Sequence, residues 1–317
     1  MVVASGVRIT WQELPEHVQA GVEAILGDRV VAAESQSGGF SPGTADRVRT
    51  ASGGRAFVKA VSPTQNARSV ELHRQEALVS AALPPDVPAP RLLGRYDDGE
   101  WIALVLADVD GRHPVTPWTR SELDAVLATL RVLAAATTPC PMPELPTVAA
   151  LLGVDLSGWD RLAADPPDDL DPWAAARLPE LVALGAAGVA ALGGDTIAHT
   201  DLRADNLLVA PDGTVTVVDW PWACVGPAWL DTAMIMVNVN LFGGHDVDAL
   251  LAEHAHPLGA RPADLNGLLA GMTGYFLDAA RRPAPPGLPT VRAFQRAQGD
   301  ATLRWLRTRL EATIQRP

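Results

Sequence analysis

Two segments, His199-Thr200-Asp201-Leu202-Arg203-Ala204-Asp205-Asn206 and Val215-Thr216-Val217-Val218-Asp219-Trp220, constrain this chain more than any others. Leu207-Leu208-Val209 and Val215 to Val218 are short apolar runs rich in β-branched residues, joined by the turn-forming Ala210-Pro211-Asp212-Gly213. This order predicts a hairpin. Such a hairpin sets Asn206, just ahead of its first strand, beside Asp219 at the end of its second, and leaves Asp201 on the preceding loop. The plain alternative is a surface hairpin whose Asp and Asn residues form turns. The strand-turn-strand context around a spaced set of acids favours a site.

Asn206 stands five positions after Asp201 in an H-x-D pattern, and the arrangement resembles the catalytic loop of kinases. In that loop the Asp meets the substrate hydroxyl and the Asn holds a metal ion. The resemblance implies Asp201 as the catalytic base, with Asn206 and Asp219 as ligands of Mg²⁺, which takes hard oxygen donors and one or two protein carboxylates. With Asp201 in the base position, His199 reads as structural. Gly226-Pro227-Ala228-Trp229-Leu230-Asp231 brings a further acid twelve residues after Asp219, just before an apolar run. Asp231 reads as an acid that hydrogen-bonds back to the loop or as an ordinary helix N-cap, and the two readings are compatible.

With 317 residues, 48% hydrophobic and 20% charged, the chain has material for one large domain or two lobes. The stretch from Leu181 to Leu192 is Ala- and Gly-rich and too short to cross a bilayer, and the first residues lack the regions of a signal peptide, so a cytoplasmic location is expected. Cys140 and Cys224 make neither a disulfide framework nor a metal set. A net charge of −12 argues against nucleic acid as a partner, since phosphate backbones need clustered cations. The charge is compatible with a cationic small molecule steered to an acidic cleft, or with solubility alone.

The first third reads as a nucleotide-holding lobe. Ser37, Gly38 and Gly39 open a glycine-containing turn between Val30-Val31-Ala32-Ala33 and Arg47-Val48-Arg49, where backbone N–H groups can approach phosphate oxygens; a simple hairpin connection fits the same residues. Lys59 is the only lysine among 25 Lys and Arg residues, which suggests that arginine does not serve there. A compact ammonium reaches the α- and β-phosphates as a point charge. Its expected partner is a glutamate on the next helix, Glu76 by preference and Glu71 as the alternative, with Leu72, Leu78 and Val79 as candidate core positions. After a Pro-rich connection, the run from Trp101 to Leu106 reads as a buried strand ending in Ala107-Asp108-Val109-Asp110-Gly111. That stretch offers a place for the lobes to join and for backbone groups, those of Asp108 among them, to meet an adenine edge. Beyond Gly111 the chain turns helical. Ser121-Glu122-Leu123-Asp124 has a capping-box form, and Leu123, Val126, Leu127, Leu130 and Leu133 recur at helical spacing. Residues 140–173, rich in Pro and Asp, read as solvated loops. One helix is expected near Leu178 to Leu192 and three between Asp246 and Pro317.

Taken in order, the glycine turn, Lys59, Glu76, the linker at Asp108 to Gly111, H-x-D-x-x-x-x-N, V-V-D-W and G-P-x-x-x-D resemble the aminoglycoside phosphotransferase family, within the wider protein-kinase-like group. The resemblance runs from about residue 30 to 310 and is strongest from 197 to 233. It implies an α+β bilobal fold with a small mixed N-terminal lobe (1–110), built on an antiparallel sheet, and a larger, mainly helical C-terminal lobe (111–317). It also implies a small-molecule kinase that uses ATP or GTP with Mg²⁺ and acts on a hydroxyl of an aminoglycoside or related compound. Lys59 with Glu76 would position phosphates. Two departures bear on the acceptor: Thr200 stands where the family commonly has glycine, narrowing the approach to Asp201, and Pro221 replaces a common acidic residue. A metabolite kinase of the same fold and a non-catalytic nucleotide-binding protein are the alternatives. Trp220, Trp222 and Trp229 read as packing around the site, with stacking on substrate as the lesser reading.

Overall fold

Alternation along the N-terminal strands decides which side chains can reach the site. The structure, a computed structural model, describes residues 7–36 and 42–314. Strands β1 (Val30–Ser35), β2 (Thr44–Thr50), β3 (Arg55–Val61), β4 (Leu92–Asp97) and β5 (Ile102–Ala107) form one sheet in the order β1-β2-β3-β5-β4, with every neighbouring pair antiparallel. Because successive side chains point to opposite faces, Ala56, Val58 and Ala60 pack with Ala103 and Val105 under helix α1 (Glu16–Leu26), where Val18 and Val22 meet them. Val61, Ile102 and Leu104 pack on the other face against Val70 and Ala77 of helix α2 (Pro63–Ala82). Lys59 shares the period of Val61, so the pleat aims it at α2.

Helix α2 starts earlier than the helical pattern of residues 71–79 suggests, with Pro63 in its first turn and Ser62 as N-cap. The Gln65 side chain accepts from the Ser62 N–H at 2.8 Å, closing the cap. Val70, His73, Glu76 and Ala77 form the buried side. Leu78, expected in the core, is 56% exposed, because the buried face runs through positions 70, 73 and 77 and Leu78 lies a further residue round the helix.

The second lobe is mainly helical: α3 (Arg120–Ala136), α4 (Val148–Leu156), α5 (Gly158–Ala164), α6 (Pro172–Ala175), α7 (Leu178–Ala190), α8 (Leu230–Phe242), α9 (Val247–His254), α10 (Pro262–Ala280) and α11 (Val291–Ile314). The five apolar α3 positions expected in the core are all buried. Its cap is Thr119, whose hydroxyl accepts from Glu122 N–H, two residues ahead of the Ser121 cap expected from sequence. Residues 140–173, expected as loops, contain α4 and α5; Thr147 caps α4, accepting from the Ala150 N–H at 3.2 Å. Helix α10 packs against α5, α7 and α11. The α7–α10 approach depends on paired glycines: a Cβ on Gly188 would lie 2.2 Å from the Gly267 carbonyl carbon. The core joins Trp159 and Trp220 to α3, α8 and α10.

Two small antiparallel ladders carry the candidate loop, β6 (Thr196–Ala198) with β9 (Cys224–Gly226) and β7 (Leu207–Val209) with β8 (Val215–Val217). The second is the hairpin expected from sequence. Its strands reach the first lobe's exit through Val217 N–H to the Pro88 carbonyl (2.7 Å) and through the mutual backbone bonds of Arg112 and Val209 (3.0 and 2.7 Å). Cys140 and Cys224 are both free thiols. Among the described residues no helix is long and apolar enough to cross a membrane.

Candidate active site

The Lys59 ammonium sits between two carboxylates, donating to Glu76 Oε2 and to Asp219 Oδ1, each at 2.6 Å. Strand β3 supplies the lysine, α2 the first acid and the end of the hairpin the second. Glu71, the alternative partner, lies on the exposed side of α2 and pairs with Arg68 at 2.5 Å. Burial alone would lower the lysine's pKa, but Asp219 and Glu76 outweigh it and hold it above the usual lysine range. Burial pulls Asp219 upward, yet Lys59 dominates and holds its pKa at about 2. Glu76 is pushed upward by burial, against the pull of Lys59. His73, buried on the same face of α2, is held neutral by burial and by the Lys59 charge, its pKa lowered to about 3.

Asp201 and Asn206 meet on the loop between β6 and β7. The Asn206 Nδ2 donates to the Asp201 carbonyl at 2.7 Å and to its Oδ2 at 3.2 Å, so these bonds do not use the Asn206 Oδ1. Arg203 clamps the loop from within, pairing with Asp201 and placing Nε 3.0 Å from Asp205 Oδ1. Burial raises the Asp201 pKa while Arg203 pulls it down, and the net direction is upward. The Asp201 side chain remains 29% exposed, open to the cleft before it.

The loop is fixed by the acid expected to reach back to it. Asp231 accepts from His199 N–H at 2.8 Å and Thr200 N–H at 3.0 Å. It does not cap the helix: it is the second residue of α8, whose N-cap is Trp229. His199 Nδ1 accepts from Asp201 N–H (3.3 Å) while Nε2 lies 3.0 Å from the Val218 carbonyl, so Nε2 carries the proton and both ring nitrogens are engaged. Among the described residues, Thr200 and Asp219 are the non-glycine residues with positive φ, 63° and 70°. Thr200 turns its hydroxyl away from Asp201, donating to the Trp222 carbonyl at 2.9 Å.

Two cavities meet here. One of about 140 Å³ is lined by Lys59, Glu76, Asp108, Asn206 and Asp219. The other, about 400 Å³, is lined by Asp201, Thr200, Arg203 and Trp222, and shares Glu76 and Asp219 with the first. The Asp108 carboxylate is bound by Arg47 and Arg55, each at 2.7 Å, so any contact it makes with a ligand falls to its backbone. Ser37, Gly38 and Gly39 lie outside the described residues. The end of their turn is described: Gly43 has a φ of 96°, and a Cβ there would sit 2.3 Å from the Ala60 carbonyl oxygen, so a glycine is required. Trp220 and Trp229 are buried packing, whereas Trp222 is half-buried on the cleft wall. Sequence reasoning passed over Arg203 and Arg8, which lines the smaller cavity. The signal for Arg203 was its place two residues after Asp201 inside the motif; Arg8 carried none.

Asn206 and Asp219 form a donor set of one carboxamide and one carboxylate, suited to a small hard cation that takes its remaining ligands from phosphate and water. Among the described residues no group of three or more His, Cys, Asp or Glu side chains could hold a metal without such help.

The model of the phosphotransferase enzyme family matches residues 37–267. No curated protein matches the sequence. The fold is similar to an aminoglycoside phosphotransferase from Alicyclobacillus acidocaldarius, at TM-score 0.55 and 18% identity over 94% of this chain and 97% of the other. It is also similar to a thermostable mutant of aminoglycoside phosphotransferase APH(4)-Ia in a ternary complex with AMP-PNP and hygromycin B, at TM-score 0.58 and 14% identity over 92% and 98%. A spectinomycin phosphotransferase bound to ADP and spectinomycin aligns at TM-score 0.54 and 12% identity, over 85% and 88%.

Proposed function

The chain belongs to the phosphotransferase enzyme family, and from that premise we propose that it moves the γ-phosphoryl group of ATP to a hydroxyl of an amine-bearing small molecule. The observation that carries this reading is that Asp219 and Glu76 line both cavities, so a phosphate chain held in the smaller one ends where the larger one begins. Lys59 has donated two of its three N–H bonds, and the third is available to a phosphate oxygen. Asn206 and Asp219 would hold Mg²⁺, which would supply neutralisation of the phosphates' developing charge. Asp201 receives the acceptor's hydroxyl proton as the new P–O bond forms; the bond to the bridging β–γ oxygen breaks, and ADP leaves. Arg203 keeps the Asp201 carboxylate oriented. The lobes we propose are residues 1–110 and 111–317, with the nucleotide base against the backbone at 107–111 and the reaction in the cytoplasm. The nucleotides and ligands of the structural neighbours support ATP as donor and an amine-bearing alcohol as the class of acceptor with which to begin.

The deciding experiment is acceptor-dependent ADP release in wild type and Asp201→Asn, with nucleotide affinity measured separately. Asparagine keeps the shape but cannot take the proton, so kcat should fall by about 10²-fold or more with nucleotide affinity unchanged. A protein that binds nucleotide yet releases no ADP with any acceptor, or an asparagine variant as active as wild type, would sink this reading.

A further inference from the structure

Among the described residues, Arg8, Arg47 and Lys59 are the lysine and arginine side chains in the wall of the smaller cavity. Strand register orders them along it. Ala45 pairs with Lys59 and Arg47 with Phe57, so Arg47 lies one repeat further along β2, where it binds Asp108 and the Val109 carbonyl at the end the base would occupy. Arg8 lies the other way, bridged to Gly43, two residues before Ala45. Ile9 N–H to the Gly43 carbonyl and Gly43 N–H to the Val7 carbonyl, each at 3.2 Å, fix Arg8 against the end of the glycine-containing turn. The segment is pinned on both sides, by Val7 N–H to the Gly287 carbonyl at 3.0 Å and by the buried Trp11.

The phosphate end of this cavity is rich in acid. Lys59 is shared by Glu76 and Asp219, and Arg203 by Asp201 and Asp205, so four carboxylates there face two cations. A triphosphate adds further negative charge at close range, of which Mg²⁺ neutralises only a part. A third fixed cation beside the outer phosphates would offset the rest, and Arg8 is placed to be it. Asp219 and Asp46 attract its guanidinium, yet burial outweighs both and holds its pKa below the usual arginine range. The protein alone therefore undercompensates this charge, and an anion in the cavity would make up the difference. A guanidinium also offers five N–H donors in a planar fork that matches paired phosphate oxygens.

We propose that Arg8 binds the γ-phosphate of the nucleotide, so that the segment ahead of α1 distinguishes a triphosphate from a diphosphate. This rests on the phosphotransferase reading for the nucleotide's presence in the smaller cavity, but the contact can be measured by binding alone. Lys59 serves the α- and β-phosphates, and Arg8, beyond it, holds the group to be transferred. Such a contact positions that group and neutralises its oxygens.

The test is calorimetric titration of the full-length protein with AMP-PNP and with ADP, each with Mg²⁺, for wild type, Arg8→Gln and Arg8→Lys, after the Tm of each without ligand has shown it folded. Arg8→Gln should weaken AMP-PNP by about tenfold or more, the worth of one charge-assisted contact, and ADP by less than about twofold. Arg8→Lys keeps the charge but not the fork, so it should show the same selectivity at a smaller size. A residue that only supports the fold, through Asp46 or the Gly43 bridge, would leave the ratio of the two affinities unmoved. Equal losses for both nucleotides, or unchanged AMP-PNP binding in Arg8→Gln, would overturn the proposal. Should Arg8→Gln not fold, Arg8→Lys decides, a loss selective for AMP-PNP upholding the contact and an unchanged ratio overturning it. ADP release with acceptors is followed in parallel. The selective loss without ADP release from wild type would uphold the contact and sink phosphotransfer, equal losses with ADP release intact would do the reverse, and a wild type that binds neither nucleotide would sink both.

Discussion

At Lys59, geometry turns a compositional oddity into a requirement. The ammonium fits between two carboxylate oxygens at 2.6 Å each, in a pocket where its side chain is 9% exposed. A guanidinium is planar and larger, so Lys59→Arg keeps the charge but cannot serve both acids and a phosphate from one point. Its kcat/KM should fall nearly as far as in Lys59→Ala, measured under identical nucleotide and Mg²⁺; near wild-type turnover in the arginine variant would refute the point-charge argument. His73 gives a second expectation at this scale. Its pKa, lowered to about 3 in the folded protein, lies below the ordinary value of about 6.5. Below pH 6.5 the unfolded chain takes a proton that the native state refuses, so the stability contribution is full above that pH and is lost as pH falls toward 3. Denaturant titrations between pH 7 and 5 should show wild type losing on the order of 1 kcal/mol per pH unit more than His73→Gln below pH 6. Equal slopes would remove His73 from the account. Lysine scarcity made Lys59 visible in the sequence, and helical spacing offered both glutamates. That Asp219 would be its second partner depends on an approach across 160 residues, which no local pattern encodes.

Among the elements, the short ladders and α8 act together on the catalytic loop. Asp231 accepts two buried backbone N–H groups, those of His199 and Thr200, from the first turn of α8. This holds Thr200 at a φ of 63°, a conformation that costs a β-branched residue roughly 1–2 kcal/mol. The hydroxyl's bond to the Trp222 carbonyl offsets part of that strain, which is how a threonine stands where glycine would sit more easily. Asp231→Ala leaves both donors without acceptors, each costing about 1–3 kcal/mol. Urea unfolding should therefore show a loss of roughly 2–4 kcal/mol, with kcat reduced because Asp201 is carried on the same turn. A loss below about 0.5 kcal/mol would mean that the loop holds itself. The hairpin around Asn206 and Asp219 was legible because a Pro-Asp-Gly turn separates two β-branched runs. Helices α4 and α5 were not, since their Pro- and Asp-rich flanks masked short apolar turns that become stable only against α7 and α10. The exposed Leu78 shows the same limit, because periodicity names a face only once the packing partner is known.

Across the whole molecule, the Lys59–Asp219 bond is a tie between the lobes. A second tie lies on the far side of the larger cavity, where the α10–α11 connection meets the first lobe through Asn66 Nδ2 to the Pro286 carbonyl and Val7 N–H to the Gly287 carbonyl, both at 3.0 Å. A Mg²⁺–nucleotide complex bound between the lobes would add to these ties, stabilising the native state by about 2.7 kcal/mol when present at 100 times its Kd. Two substitutions at Asp219 separate the metal from the backbone. Asparagine tolerates the left-handed conformation that Asp219 adopts at a φ of 70°, whereas alanine is strained there by roughly 1–2 kcal/mol. Both variants leave Lys59 paired with Glu76 and should fold, with Asp219→Ala melting below Asp219→Asn in the absence of ligand. Both should lose the part of the AMP-PNP-induced rise in Tm that depends on Mg²⁺, because neither provides the anionic oxygen that the ion prefers. If Asp219→Asn retains the full Mg²⁺-dependent rise, the metal is held elsewhere and the phosphate chain does not end at Asp219; if the Mg²⁺ dependence is lost while both variants fold, the acid that ties the lobes is also the one that reads the metal.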